Sequence, residues 1–350
     1  MRRICTRLSR RCLHLDMYTI PFNPRATSLA EPHAVDTAVF GSLEKDITYT
    51  FAGKSALALL LRYYRAKGSL RDRSDQVLVP QWLGGPVYNI MQYSCFPNAS
   101  YNEKVRGLLL YHQWGFPQDV DAVRDFCEQK KLFLIEDCAH ALESYYKGQR
   151  VGTFGEVAFF SLQKFFPSVV GGAVYSTQRD VHDFLEGEFK KDDEELAKEI
   201  FANCFAVDTN STKRNGINLE RNYIVYDRIL KCPSYALAVA RAQMHAGALD
   251  KRRAHYELYK QAFGAEKYLS QFIQENVVPW VVPLFFDEDR CARVAAMLKR
   301  ASIESGVYHF DVNRNMLEPD FKLCVPVPCH QGMSEEDVGR VIGIVKEAVR

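Results

Sequence analysis

The sequence predicts an α/β fold with a mostly parallel sheet and a smaller α/β lobe at its C-terminal end. Three observations predict it. Short apolar runs recur at residues 76–80, 107–111, 132–135, 157–160 and 173–175, each of the length a buried strand needs. Helix-period stretches such as 121–131 lie between several of them. Chemically capable residues follow the runs: Glu136, Asp137 and His140 after one, Ser161 and Lys164 after another. Open α/β sheets bind ligands at such strand ends.

Taken in order, residues 47–51 alternate as a short strand, then Ala52-Gly53-Lys54-Ser55 leads into an apolar helix starting near Ala56. A Gly and a Ser at a helix start leave backbone N–H groups unpaired, an anion site, although an ordinary capped helix reads the same way locally. Residues 76–80 form a strand followed by Trp82, and 86–92 a helix. After the strand 107–111 come His112, Gly115 and Pro117, a turn, and then the helix 121–131. Residues 180–203 read as a charged helix, its run Lys190-Lys191-Asp192-Asp193-Glu194-Glu195 being a solvated face. Residues 210–222 read as loop, and 234–263 as one long helix. In the C-terminal lobe, 281–286 is strand-like and 290–300 helical; Ser334 and Asp337 form a capping box that opens a last amphipathic helix.

Composition bounds the function. A chain of 350 residues with 47% hydrophobic content can bury a large core. Its 45 basic and 43 acidic residues nearly cancel, so no field marks it as a nucleic-acid binder. Ten cysteines without C-x-x-C pairs argue against a zinc site or disulfide framework and point to a reduced, cytoplasmic compartment. No apolar run is long enough to span a bilayer. The Arg-rich, nearly acid-free residues 1–16 read as a disordered or mis-assigned start. The expected division is 17–245 for the large domain and 246–350 for the small one.

An acid, an imidazole, a hydroxyl and an amine within residues 132–176 fit pyridoxal 5'-phosphate (PLP) chemistry. That cofactor needs a lysine for a Schiff base and an acid to keep its pyridine nitrogen protonated. Lys164 is the expected lysine and proton shuttle, and Asp137 the partner of the pyridinium nitrogen. His140 is placed to bond the ring's phenolic oxygen or to stack nearby, and Ser161 to hold phosphate. No residue is assigned to a metal. Singly, each of these residues reads as a cap, a surface charge or a structural histidine; the joint spacing carries the assignment.

The order of these pieces resembles the DegT/DnrJ/StrS sugar aminotransferases, PLP-dependent transferases of fold type I. The resemblance rests on Glu136-Asp137-Cys138-Ala139-His140-Ala141, the Gly-containing segment 148–158, Phe160-Ser161, Lys164 and Gly171-Gly172. The short Ser161-Leu162-Gln163-Lys164 spacing is similar to a divergent S-x-x-K branch. The resemblance implies that Lys54, Ser55 and Ala56 cradle the PLP phosphate, with Gly53 allowing close approach, and that Trp82 packs on the ring. It also implies a homodimer in which Asn218, or Asn222, reaches the partner's phosphate. The implied reaction moves an amino group from an amino acid, typically glutamate, to a nucleotide-linked keto sugar for polysaccharide or secondary-metabolite synthesis.

One departure stands out. Residues 93–106 are too few for the strand and helix the family has there. This favours an alternative, a homologue that binds PLP or a nucleotide sugar without turnover; the intact Asp137, His140 and Lys164 disfavour it.

Overall fold

The computed structural model describes residues 37–168, 170–189, 230–264, 274 and 276–350. The expected helix beyond residue 189, the loop 210–222 with Asn218 and Asn222, and residues 1–16 lie outside the described residues.

Among the described residues the first nine strands are β1 Ile47–Thr50, β2 Gln76–Leu78, β3 Phe96–Asn98, β4 Val105–Tyr111, β5 Phe133–Cys138, β6 Tyr145–Tyr146, β7 Gln149–Arg150, β8 Val157–Ser161 and β9 Gly172–Tyr175. Seven of them form one sheet in the order β1-β9-β8-β5-β4-β2-β3, and β6 and β7 form a small hairpin. The pairs from β3 through β8 are parallel, whereas β8–β9 and β9–β1 are antiparallel. Every residue of β5 and β8 is buried. Strands covered on both faces read as continuous apolar runs rather than as alternation, which is why these two were plain in the sequence.

Helices cover the sheet: α1 Gly53–Ala66, α2 Gly85–Met91, α3 Val120–Lys130 and α4 Arg179–Glu188. Helix α1 begins at Gly53, not near Ala56, so Lys54 and Ser55 lie in its first turn. The stretch 93–106 keeps its strand, β3, but carries no helix. With β3 at the sheet edge, Tyr93 and Phe96 are exposed.

Two helices, α5 Ser234–His245 and α6 Ala248–Phe263, replace the single one expected over 234–263. Gly247 separates them with φ +71°, a left-handed conformation that ends α5 and re-aims the chain. The C-terminal lobe is a three-stranded antiparallel sheet, order β10-β12-β11, of β10 Val281–Phe285, β11 Tyr308–Asp311 and β12 Phe321–Pro328. Helices α7 Glu288–Arg300 and α8 Glu335–Val349 pack with it, and the Ser334–Asp337 capping box is formed. One continuous apolar core joins the lobes, running from Phe160 and Phe165 of the large sheet through Tyr256 to Val282 and Phe310.

The seven cysteines among the described residues form no disulfide, and six are buried. Burial raises their thiols, to about 12 for Cys95 and Cys127 and about 11 for Cys329.

The Gly171-Gly172 pair has a steric cause. Gly171 sits at φ +121°, and a Cβ on Gly172 would lie 2.2 Å from the Ala52 carbonyl carbon. A Cβ on Gly53 would in turn meet Ser161 Cβ at 2.9 Å. Bare backbone on β9 and α1 therefore lets the helix start seat directly on the ends of β8 and β9. Gly172→Ala is expected to lower stability by about 2–3 kcal/mol, since backbone cannot give way as a side chain can. Urea unfolding read by circular dichroism checks it, and an unchanged midpoint contradicts the packing account.

Candidate active site

The site lies where β5, β8 and the start of α1 converge. Adjacent β5 and β8 are in parallel register, with Asp137 opposite Phe159 and Cys138 opposite Phe160. Asp137 is buried at 2% exposure, and its Oδ1 accepts the Ala139 N–H at 3.0 Å. Burial raises its carboxyl to about 7, opposed by that hydrogen bond and by the Lys164 charge. Such a carboxyl is poised to gain from a cationic partner.

Ser161 ends β8, and a short 3-10 turn, Leu162–Lys164, places Lys164 just beyond it. Burial and the neighbouring Lys54 lower the Lys164 ammonium to about 8, while Asp137 acts against them. The side chain is half-buried, with Nζ 4.6 Å from the centre of the Trp280 ring. A lysine in this setting offers a substantial neutral fraction near physiological pH, which a nucleophilic amine requires.

At the head of α1, Ser55 is fully buried and its Oγ has no hydrogen-bond partner among the described residues. The first turn of a helix leaves N–H groups without intrahelical acceptors. The Ala56 N–H, however, already donates to the Ala52 carbonyl at 3.0 Å, so Ala56 supplies packing rather than a donor. Lys54, partly buried beside Ser55, has its own ammonium lowered by burial. Gly53, Ser55, Lys54 and Ser161 thus form a small cradle with an orphaned hydroxyl and a cation, which suits a phosphate.

His140 follows β5 by two residues. Its Nδ1 lies 2.7 Å from the Tyr111 hydroxyl, and its ring stacks on Trp280 at 4.0 Å and 13°. Burial and the Lys164 charge hold its pKa well below the usual imidazole value, so it is neutral. Trp82 is not the aromatic brought to this cluster. Its ring is half exposed and stacks on His309 at 4.7 Å, with Phe321 edge-on. It borders a narrow cleft that Tyr111, Gln118 and Asp311 also line. Trp280 takes the place beside Lys164 and His140 instead. It arrives from the edge of the C-terminal lobe, and its backbone N–H is held by the Trp114 carbonyl at 2.8 Å.

Glu136 went unassigned by sequence reasoning. It is fully buried and accepts from Gly152 N–H at 2.7 Å, Phe154 N–H at 2.6 Å, Gly155 N–H at 2.7 Å and His112 Nε2 at 3.2 Å. The His112 Nδ1 accepts the Gln118 N–H at 3.2 Å, which leaves the ring proton on Nε2 to donate to Glu136. His112, Glu136 and Cys138 lie close enough to suggest a metal site. Those hydrogen bonds already use the carboxylate and both imidazole nitrogens, so the cluster is a hydrogen-bond hub. The signal was present in the sequence: the glycines of segment 148–158 mark a backbone that must wrap closely around something.

Residues 98–346 match the DegT/DnrJ/EryC1/StrS aminotransferase family. The chain belongs to that family. Among its relatives, a GDP-perosamine synthase of Vibrio cholerae is 40% identical over 77 residues, 21% of each chain. A dTDP-4-dehydro-2,3,6-trideoxy-D-glucose 4-aminotransferase of Saccharopolyspora spinosa is 38% identical over 78 residues, 22% of this chain and 20% of that one. These alignments span about a fifth of the relatives' length. The Helicobacter pylori aminotransferase PseC shares the fold, with a TM-score of 0.63 at 17% identity over 86% of each chain. The aminotransferase TlmJ of Streptoalloteichus hindustanus gives 0.61 at 16% identity over 89% of this chain and 87% of that one. Both similarities cover most of the chain, and the shared fold is the fold type I arrangement. Enzymes of the DegT/DnrJ/EryC1/StrS family use PLP, and the residues here fit that group: a cradle with an orphaned hydroxyl, a buried acid of raised pKa, and a lysine of lowered pKa.

Two outcomes test the electrostatics. Lys54→Met removes a like charge beside Lys164, so the Lys164 pKa should rise and the pH at which its amine becomes reactive should move up by about half a unit to one unit. The pH dependence of PLP capture rate reads this, and an unmoved profile refutes the coupling. Asp137 carries a folded pKa above its unfolded one. The stability this represents is therefore full below about pH 4 and lost as pH rises through about 7. Asp137→Asn should stabilise the cofactor-free protein above pH 7 by about 2–4 kcal/mol and leave it unchanged near pH 4. Thermal melts at the two pH values decide it.

Proposed function

We propose that the protein is a PLP-dependent aminotransferase that moves an amino group from an amino acid, glutamate in the first instance, to a nucleotide-linked keto sugar. The convergence of Lys164, Asp137 and the Lys54–Ser55 cradle at the ends of β5 and β8 carries this reading. The names of several relatives support the acceptor class, being those of enzymes of GDP-, dTDP- and UDP-linked sugars. The product would feed polysaccharide or secondary-metabolite sugar synthesis in the cytoplasm. The working unit on this reading is a homodimer.

PLP, when bound, supplies an electron sink that lets an amino acid lose the proton at its α-carbon. The chain's own residues do the rest. Ser55, Ser161 and Lys54 hold the phosphate end and so fix the ring's position. Asp137 keeps a proton on the ring nitrogen by a charge-assisted hydrogen bond in a water-poor setting. Lys164 would hold the cofactor through its amine and would move the proton at the substrate carbon. Trp280 packs beside the lysine and His140 and keeps bulk water from that side.

A second donor has a specific observation behind it. Other relatives are named as L-glutamine:scyllo-inosose aminotransferases, so glutamine and a cyclic keto-polyol form the competing pair. The deciding experiment is an absorbance spectrum after incubation with PLP, wild type against Lys164→Ala. A near-visible band present in wild type and absent in the variant supports the reading. Glutamate should then bleach the band more efficiently than glutamine, and the reverse order moves the assignment to the second donor. If wild type shows no band, the enzyme reading fails and a scaffold role replaces it.

A further inference from the structure

We propose that Tyr111 is a positioning residue that sets the tautomer of His140, placing the imidazole proton on Nε2. Tyr111 is the last residue of β4 and stands opposite Asp137 in the parallel register of β4 and β5. Strand alternation sends Tyr111 and its neighbour His112 to different partners: His112 to Glu136, Tyr111 to His140. The hydroxyl-to-Nδ1 distance of 2.7 Å is that of a strong neutral hydrogen bond.

Two neutral groups can share this bond in either of two ways, with the phenol or the imidazole donating. The imidazole is neutral for the reasons given above. The phenol stays protonated because burial and the Asp137 charge raise it, against Arg314 and the Trp114 N–H. Among the described residues His140 Nδ1 is the one hydrogen-bond partner of the Tyr111 hydroxyl, so the phenol proton has no other acceptor and is the one placed in that bond. Nδ1 is then the acceptor, and Nε2 must carry the ring proton.

Ring rotation is also constrained. The imidazole lies flat on Trp280, and the Trp280 carbonyl is in turn gripped by Arg252 Nη1 at 3.2 Å. His140 is thus presented as a neutral N–H donor in a fixed plane, packed on the same indole as Lys164. A donor of this kind can serve a cofactor oxygen without adding a charge next to the lysine, which an imidazolium would do. That consequence rests on the PLP reading, whereas the tautomer does not.

The test uses histidine-labelled protein without cofactor. NMR of the imidazole nitrogens reports which one carries the proton, and His140→Gln identifies the His140 signals. In wild type, Nδ1 should appear unprotonated and Nε2 protonated across neutral pH. In Tyr111→Phe the ratio of the two tautomers should fall about fivefold, the worth of one buried hydrogen bond. Signals of His112, whose partners are untouched, should stay in place and certify the fold. A second readout is PLP affinity, expected to weaken about fivefold in Tyr111→Phe. A wild-type His140 protonated on Nδ1 overturns the proposal whether or not the variant folds, and so does an unchanged ratio in Tyr111→Phe. If the tautomer behaves as expected but wild type binds no PLP, the functional reading has failed and the positioning role stands.

Discussion

A carboxylate sealed from water is the constraint on which the site depends. Burying an ionised Glu136 is costly unless nearly every lone pair finds a donor. Three backbone N–H groups and the His112 Nε2 supply them. Those N–H groups all come from the chain between β7 and β8, so the charge draws that segment tightly over the end of β5. The wrap fixes where β8 begins, and β8 is the strand that delivers Ser161 and Lys164. Asp137 is the next residue along from Glu136. Asp137 and Lys164 are therefore held in relation by a buried carboxylate that lies between their strands' ends and is itself fully hydrogen-bonded.

A second buried charge braces the other side. Arg252 of α6, only 1% exposed, donates to the Pro279 and Trp280 carbonyls and to Gln331, and lies against the Phe165 ring. Phe165 follows Lys164 directly, and Gln331 also donates to its carbonyl. The lysine turn, the indole beside it and the last part of the C-terminal lobe are clamped through one guanidinium, whose planar fork suits several acceptors at once. The two lobes meet in a shared core and a shared hydrogen-bond network, so the position of Trp280 is set by both.

The large sheet and the residues gathered at the candidate site were legible because their signals are local. Buried strands such as β5 and β8 announce themselves as apolar runs, and Asp137, Ser161 and Lys164 follow at fixed offsets. What escaped depends on distance in the chain. Trp82 and Trp280 look alike as isolated aromatics, and only the approach of the C-terminal lobe decides which one reaches Lys164. The break in the helix over 234–263 hinges on Gly247, a residue helices tolerate elsewhere at modest cost. Ala56 fits the phosphate motif by position, but starting the helix three residues earlier commits its N–H to Ala52. Tyr111 gave no sign at all, since a tyrosine ending an apolar strand is unremarkable until His140 is folded against it.

The buried thiols have a chemical corollary. Cys138 directly follows Asp137 in β5, and burial together with the Glu136 and Asp137 charges holds its pKa well above the usual thiol value. The same low-dielectric surroundings that depress an ammonium suppress a thiolate, because each penalises the charged form. Burial thus acts in opposite directions on the two nucleophiles, keeping the Cys138 thiol protonated and the Lys164 amine easier to deprotonate.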